Sequence, residues 1–367
     1  MKVDVSSVDL ASALDLVLPT VDRKNANPLL TNVLLTATAG KLKVTGTDNF
    51  IGGSVTVAAE VSEEGAAAVE AHRLHAVASN LPKTKRVGLR HMGPHVELKC
   101  GSSKYKLMAL DADEFPTMPR VTKSAVRRVF AAQELLDCIL WTSHGMTNDP
   151  NRPHLSGLLL DADAAGGMNV VACDGHQLVK ANLQLGDGKE FQAFIPYRAV
   201  PPLRRLCADS EEVSMAYTAT HVFFWEGTTG FNARMLGGDP IPYASIAPSE
   251  ATAVDATVDC KEMIGALKRL ASIEQTAIDI FVQGKSVLLS AQAAAAGEGT
   301  EKLAASTRGK PLQVAFSLKD LSAIFAVMGT EKAAIHLWGE KSPGMFRPVG
   351  DDEDHTVSAV LMPLVAD

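Results

Sequence analysis

Apolar residues recur at i, i+3, i+4 and i+7 in three stretches, VDLASALDLVLPT from Val8, AQELLDCILWTS from Ala132 and KEMIGALKRLASI from Lys261. That period places one apolar stripe on an α-helix. Leu135 and Ile139 mark the stripe in the second stretch, and Met263, Leu267 and Leu270 mark it in the third. Each helix leads into strand-like text, LLTNVLLTATAGKLKVTGTD, HLSGLLLDADAAGGMNVVACD and TAIDIFVQGKSVLLSAQ. In these, β-branched and leucine runs flank a turn at Ala39-Gly40, Gly166-Gly167 or Gln283-Gly284, which predicts hairpins. Second helices follow from Ala71, Pro196 and Leu318, with starts 125 and then 122 residues apart. Closing strands are predicted at His95, His221 and Ile335, and Asp48 and Asp174, each ending a strand, are 126 residues apart.

A period near 125 residues is too long for a solenoid, whose units run to about 50, so each unit must hold its own core. The reading is three copies of one α+β domain, each with two helices packed on antiparallel sheet. Polar linkers at 119–125 and 247–254 suggest domains at residues 1–124, 125–250 and 251–367. Across 367 residues the composition, 46% hydrophobic and 21% charged, is that of a folded globular protein rather than a disordered or fibrous one.

Charge and cysteine usage narrow the setting. Lys plus Arg is 35 and Asp plus Glu is 42, a net charge of −7, so any nucleic-acid contact must come from segregated rather than bulk charge. The five cysteines, Cys100, Cys138, Cys173, Cys207 and Cys260, fit neither a disulfide framework nor a zinc knuckle. Asp4 and Asp9 interrupt the start where a signal peptide needs a basic and then an apolar run, and no stretch of about 18 apolar residues occurs. A reducing, cytoplasmic setting is expected, and the scattered Asp, Glu and His residues suggest neither a metal nor a cofactor.

KLKVTGTD (41–48), YKLMALDADEFPTMP (105–119), ACDGHQL (172–178), GGDPIPYASIAP (237–248) and VLMPL (360–364) resemble the bacterial DNA polymerase sliding clamps, the beta subunits of the replicative polymerase. The resemblance runs from end to end with the three repeats in order. It implies a head-to-tail homodimer, six domains in a ring around duplex DNA, helices lining the hole, and a processivity factor without catalysis of its own. The partners it implies are double-stranded DNA held without sequence preference, the polymerase catalytic subunit, the clamp loader and other proteins with short clamp-binding motifs, and no membrane.

A sliding ring must attract phosphate without reading bases, which calls for basic residues on the lining helices. His72, Arg73 and His75 with the following Lys83, Lys85 and Arg86, then Arg198, Arg204 and Arg205, then Lys261, Lys268 and Arg269 supply them, whereas acidic text lies at Glu60, Glu63, Glu64, Glu211, Glu212 and Asp351 to Asp354. The resemblance adds Arg23, Lys24 and Arg152 as DNA contacts, and Tyr105, Leu107 and Ile273 as dimer-interface residues. It also implies a pocket for a partner's glutamine-leucine-phenylalanine type motif, with Leu155, Cys173, Gly175, His176, Leu178, Pro242, Ile246, Val360, Leu361, Met362, Pro363 and Leu364 as walls and Gln177 beside His176 at the rim. Here Cys173 stands where relatives have threonine, Gln177 and Ser245 where they have arginine, and the chain ends Leu364-Val365-Ala366-Asp367.

Two other readings compete with the clamp. Cys173, Asp174 and His176 lie close enough to suggest a thiol nucleophile and its base, but neighbours on a strand face opposite ways and Asp174-Gly175 reads as a turn. The stronger alternative is a peptide-binding scaffold with the same fold that no longer encircles DNA.

Overall fold

The computed structural model describes residues 1–122, 125–149, 151–186, 188–237, 241–246, 251–350 and 357–364. The domain boundaries expected after residues 124 and 250 fall at positions outside the described residues, as do Asp351 to Asp354.

One order of elements occurs three times. The first run is β1 (Lys2–Ser6), α1 (Ser7–Val17), β2 (Asn32–Thr38), β3 (Lys41–Thr47), β4 (Ile51–Glu63), β5 (Gly65–Glu70), α2 (Ala71–Ala78), β6 (Arg86–Met92), β7 (His95–Cys100) and β8 (Ser103–Leu110). The second is β9 (Val126–Ala131), α3 (Ala132–Thr142), β10 (Gly157–Ala162), β11 (Gly167–Cys173), β12 (Gln177–Gln184), β13 (Phe191–Pro196), α4 (Val200–Ala208), β14 (Glu212–Tyr217), β15 (His221–Glu226) and β16 (Thr229–Arg234). The third is β17 (Val254–Asp259), α5 (Cys260–Leu270), β18 (Ala277–Gln283), β19 (Ser286–Ala293), β20 (Gly297–Gly309), β21 (Leu312–Ser317), α6 (Leu318–Val327), β22 (Lys332–Leu337), β23 (Gly344–Val349) and β24 (Val357–Leu361).

Strands run straight into helices because the last strand residue supplies the cap. Ser6, Asp259 and Ser317 each accept a hydrogen bond from the backbone N–H three residues on, and Glu70 accepts from both His72 and Arg73. One predicted start moves. The helix expected from Pro196 begins at Val200 after a short 3-10 turn, since Pro201 and Pro202 lack the N–H groups an earlier start would need and fit the first helical turn. One strand is also reassigned. Only residues 335–337 of the IHLWGEK text are strand, the end of β22, which is the counterpart of β6 and β14; the counterpart of the His95 and His221 strands is β23, and one further strand, β8, β16 or β24, closes each run.

The chain divides into two compact units, Met1–Leu136 with Ile195–Met235 and Asp137–Phe194 with Leu236–Asp367. The middle run of elements is thus shared, with β9 and β14 to β16 going to the first unit. The first unit holds a sheet ordered β1-β6-β7-β8-β5-β2-β3-β4-β16-β15-β14-β9, and its core gathers Leu10, Leu14 and Leu74 from α1 and α2 against Leu35, Leu42 and Leu98 of the sheet. The second holds β13-β10-β11-β12-β24-β23-β22-β17-β20-β19-β18-β21, with Met263, Leu267, Leu321 and Phe325 of α5 and α6 packed on Ile280, Phe316 and Phe346. In both, helices cover one sheet face and leave the other open to loops.

Candidate functional site

On the helix-free face of the second unit, the β11–β12 turn fixes an apolar cluster. Asp174 Oδ1 accepts from the backbone N–H of His176 at 2.8 Å and of Gln177 at 2.9 Å, and Gly175 adopts φ +93°, a conformation that side-chain-bearing residues rarely take. The turn sets Cys173 opposite Leu178 across β11 and β12, Leu178 opposite Val360 across β12 and β24, and Val360 opposite Met345 across β24 and β23. Leu155, Leu159 and Val171 complete the buried set, and Phe194, Ile241, Tyr243, Ile246 and Trp338 pack over it half-buried. Tyr243 anchors the covering loop by donating to Asp161 Oδ2 at 2.6 Å and accepting from Asn169. Burial and the Asp161 carboxylate push its phenol up to about 12, so the hydroxyl stays a donor. Pro242 is exposed on that loop and accepts a hydrogen bond from Ser245 Oγ.

The chain's last described residues border the cluster. Met362 N–H donates to the His176 carbonyl and Leu364 N–H to the Ala315 carbonyl of β21, both at 2.8 Å, so the tail runs from the β11–β12 turn to the middle of the edge strand β21. Met362 and Leu364 are 43% and 44% exposed and Pro363 is half-buried, while His176 is exposed at the rim. Two residues expected here belong elsewhere. Gln177 and Leu361 pair with each other across β12 and β24 and face the opposite side of the sheet, because strand neighbours alternate. Gln177 is buried with its amide donating to the His144 carbonyl and Asp174 Oδ2, and Leu361 joins the core beneath the helices.

Cys173 accepts from the Gly175 N–H, and burial pushes its thiol up, away from the thiolate a nucleophile needs. Leu159, Val171, Met345, Tyr243 and Trp338 join the site beyond the residues expected from the sequence. Val171 is readable as the residue two positions before Cys173 on the same strand face, but Met345 and Trp338 reach the cluster only through pairing with distant segments.

The basic residues differ in how far they are exposed and in what they are tied to. Arg23, Lys24, Arg73, Arg204, Lys261 and Lys268 are exposed, with the Arg73 side chain 81% exposed though its Nε lies 3.5 Å from Glu70. Burial, and after it the Arg23 guanidinium, holds the His72 imidazole below its ordinary value. Arg198 lies 2.5 Å from the buried Asp48 carboxylate, Arg205 lies 3.8 Å from Asp15, and Arg269 donates twice to Glu301. Arg152 donates to the Asp174 carbonyl at 3.2 Å and so stands beside the apolar cluster. Tyr105 is exposed and Leu107 half-buried on β8, while Ile273, half-buried after α5, lies against Gly299 of β20.

The sequence profile of the DNA polymerase III beta subunit N-terminal domain matches residues 1–119, and that of its C-terminal domain matches residues 244–365. The beta sliding clamp of Synechococcus elongatus is 28% identical over 377 residues, covering 99% of both chains. The Caulobacter vibrioides beta sliding clamp is 26% identical over 375 residues, covering 99% of this chain and all of its own. Among solved structures, a DnaN sliding clamp from Pseudomonas aeruginosa bound to griselimycin aligns over the whole of both chains at TM-score 0.92 and 25% identity.

The chain belongs to the beta sliding clamp family. It is a DNA polymerase processivity factor of the clamp fold, and the family is one of accessory subunits. The alternative of a bare scaffold that has given up this role is not favoured by any of these matches. No helix among the described residues is long and apolar enough to cross a membrane.

Proposed function

We propose that two copies close head to tail into a cytoplasmic ring of six domains, with boundaries after residues 124 and 250, that surrounds duplex DNA and carries its partners by short peptide motifs. The observation that carries this reading is a set of strand pairings with one member missing. The closing strand of the second run, β16, pairs with β4 of the first, and the closing strand of the third, β24, pairs with β12 of the second. By the same rule β8, which closes the first run, should pair with β20. Within the described residues, Ser103–Met108 of β8 has only β7 as a neighbour and Gly297–Ala304 of β20 only β19. Two such open edges invite pairing, and a head-to-tail contact that closes after two subunits satisfies both. Tyr105 and Leu107 on β8 and Ile273 beside β20 are the side chains that would meet there.

In this reading Arg23, Lys24, Arg73 and Lys268, exposed on or near the helices, hold phosphate, and Arg152 and Arg198 contribute from positions already tied to Asp174 and Asp48. The cluster of Leu155, Cys173, Leu178, Met345 and Val360, rimmed by Gly175, His176, Pro242, Ile246 and the Met362-Pro363-Leu364 tail, takes the apolar anchors of an extended partner peptide, with the polymerase and clamp loader among the partners. A light-scattering mass tests the assembly: twice 38.9 kDa is expected, and a monomer at micromolar concentration would overturn it.

A further inference from the structure

The first unit carries its own groove on the helix-free face of its sheet, with a volume of about 580 Å³. Its floor runs from Phe223 and Trp225 of β15 through β16 to β4, β3 and β2, and the segment holding Phe115, Met118 and Arg120 forms a wall. The groove stands where the repeat places the counterpart of the apolar cluster, since Leu178 corresponds to Gly52 at the 126-residue offset. A Cβ at Gly52 would overlap the Met118 thioether end, so the chain itself fills the position that a leucine fills in the other unit.

The charged residues lining it are Lys43 and Arg120, both exposed, and neither is paired with a carboxylate among the described residues. Arg127 lies 6.0 Å over the Trp225 ring, and Lys41 stands two residues before Lys43 on the same strand face. In a chain of net charge −7, an aromatic floor with basic groups alone at its rim is a local reversal.

We propose that this groove docks an extended acidic peptide segment with an aromatic or leucine anchor, on a second site separate from the proposed motif pocket. The anchor lies on Phe223, Trp225 and Met118, and flanking carboxylates meet Lys43 and Arg120. Opposite charge sets partner choice and register, while the aromatic floor supplies the contact area. The aromatic floor favours a peptide over a phosphate backbone, which needs only the charge.

The test uses the full chain with 5-fluorotryptophan in place of its three tryptophans and the acetylated peptide Asp-Asp-Phe-Leu-Asp-Glu as probe. Saturable binding that shifts the fluorine signal of Trp225 and leaves those of Trp141 and Trp338 in place is expected. Lys43→Glu with Arg120→Glu, two exposed changes that spare the fold, should weaken it about tenfold, as expected for reversing two solvent-exposed charges. Ile246→Arg in the other unit should leave it unchanged. The proposal fails if there is no saturation, if affinity is equal in the double variant, if the shift is confined to Trp338, if a Lys-substituted peptide binds as well, or if a short DNA duplex displaces the probe.

Discussion

Asp48 and Arg198 form an ion pair at 2.5 Å in which the carboxylate is buried and the guanidinium half-exposed. Asp48 also closes the β3–β4 turn, its Oδ1 accepting from the N–H groups of Phe50 and Ile51, as Asp174 does at the matching turn 126 residues on. Arg198 therefore holds structure as well as offering charge. Removing it leaves a buried carboxylate short of a partner, so Arg198→Ala should cost about 1–3 kcal/mol in denaturant unfolding. Arg73→Ala and Lys268→Ala, at exposed positions, should stay within about 0.5 kcal/mol of the parent. Equal midpoints for all three would show that the pair carries no stability.

Phosphate contact is tested by salt. Arg23→Glu, Arg73→Glu and Lys268→Glu together should weaken retention on DNA circles and flatten its dependence on log salt by about one unit for each phosphate no longer neutralised, without sequence preference appearing. A parental slope in the triple variant would remove these residues from the DNA-facing set.

Motif binding should depend on the tail. Deleting residues 363–367 should abolish calorimetric binding of a glutamine-leucine-phenylalanine type peptide while the dimer persists, because Leu364 is held to Ala315 on β21 and Met362 to His176 at the cluster's edge. Undiminished affinity in the truncated chain, or no heat from the parent at about millimolar peptide, near −4 kcal/mol, would remove the assignment.

His144 gives a pH signature. Burial holds its imidazole below the ordinary value, with the Asp320 and Asp174 carboxylates opposing the shift. A depressed histidine means the unfolded chain binds the proton first, so nothing changes while both states are neutral, and stability falls as pH drops below about 6.5. His144→Phe should flatten that fall by up to about 1.4 kcal/mol per pH unit for as long as the native imidazole stays neutral. Unfolding midpoints at three pH values check this, and parallel profiles for parent and variant would contradict it.

Local periodicity made the helices beginning near Val8, Ala132 and Lys261 readable, and the 126-residue offset of Asp48 and Asp174 marked turns that share their hydrogen bonds. Side-chain facing was less legible. A run such as His176-Gln177-Leu178 or Val360-Leu361 reads as one wall in a line of text, but on a strand its members point alternately to the pocket face and the helix-covered core. Met345 and Trp338 enter the cluster, and Arg198 reaches Asp48, only through pairing of segments far apart in the chain, for which local pattern holds no signal. The groove over Phe223 and Trp225 was hidden for the same reason, since its wall and floor come from separate strands and a loop.

Topology itself is the claim most directly open to measurement. The chain, placed on nicked circular DNA by a clamp loader and washed at salt that strips simple electrostatic binders, should remain on the circles and leave when a single cut makes them linear. Equal retention before and after the cut, or none on intact circles by a chain shown to be dimeric, would contradict a ring that encircles DNA.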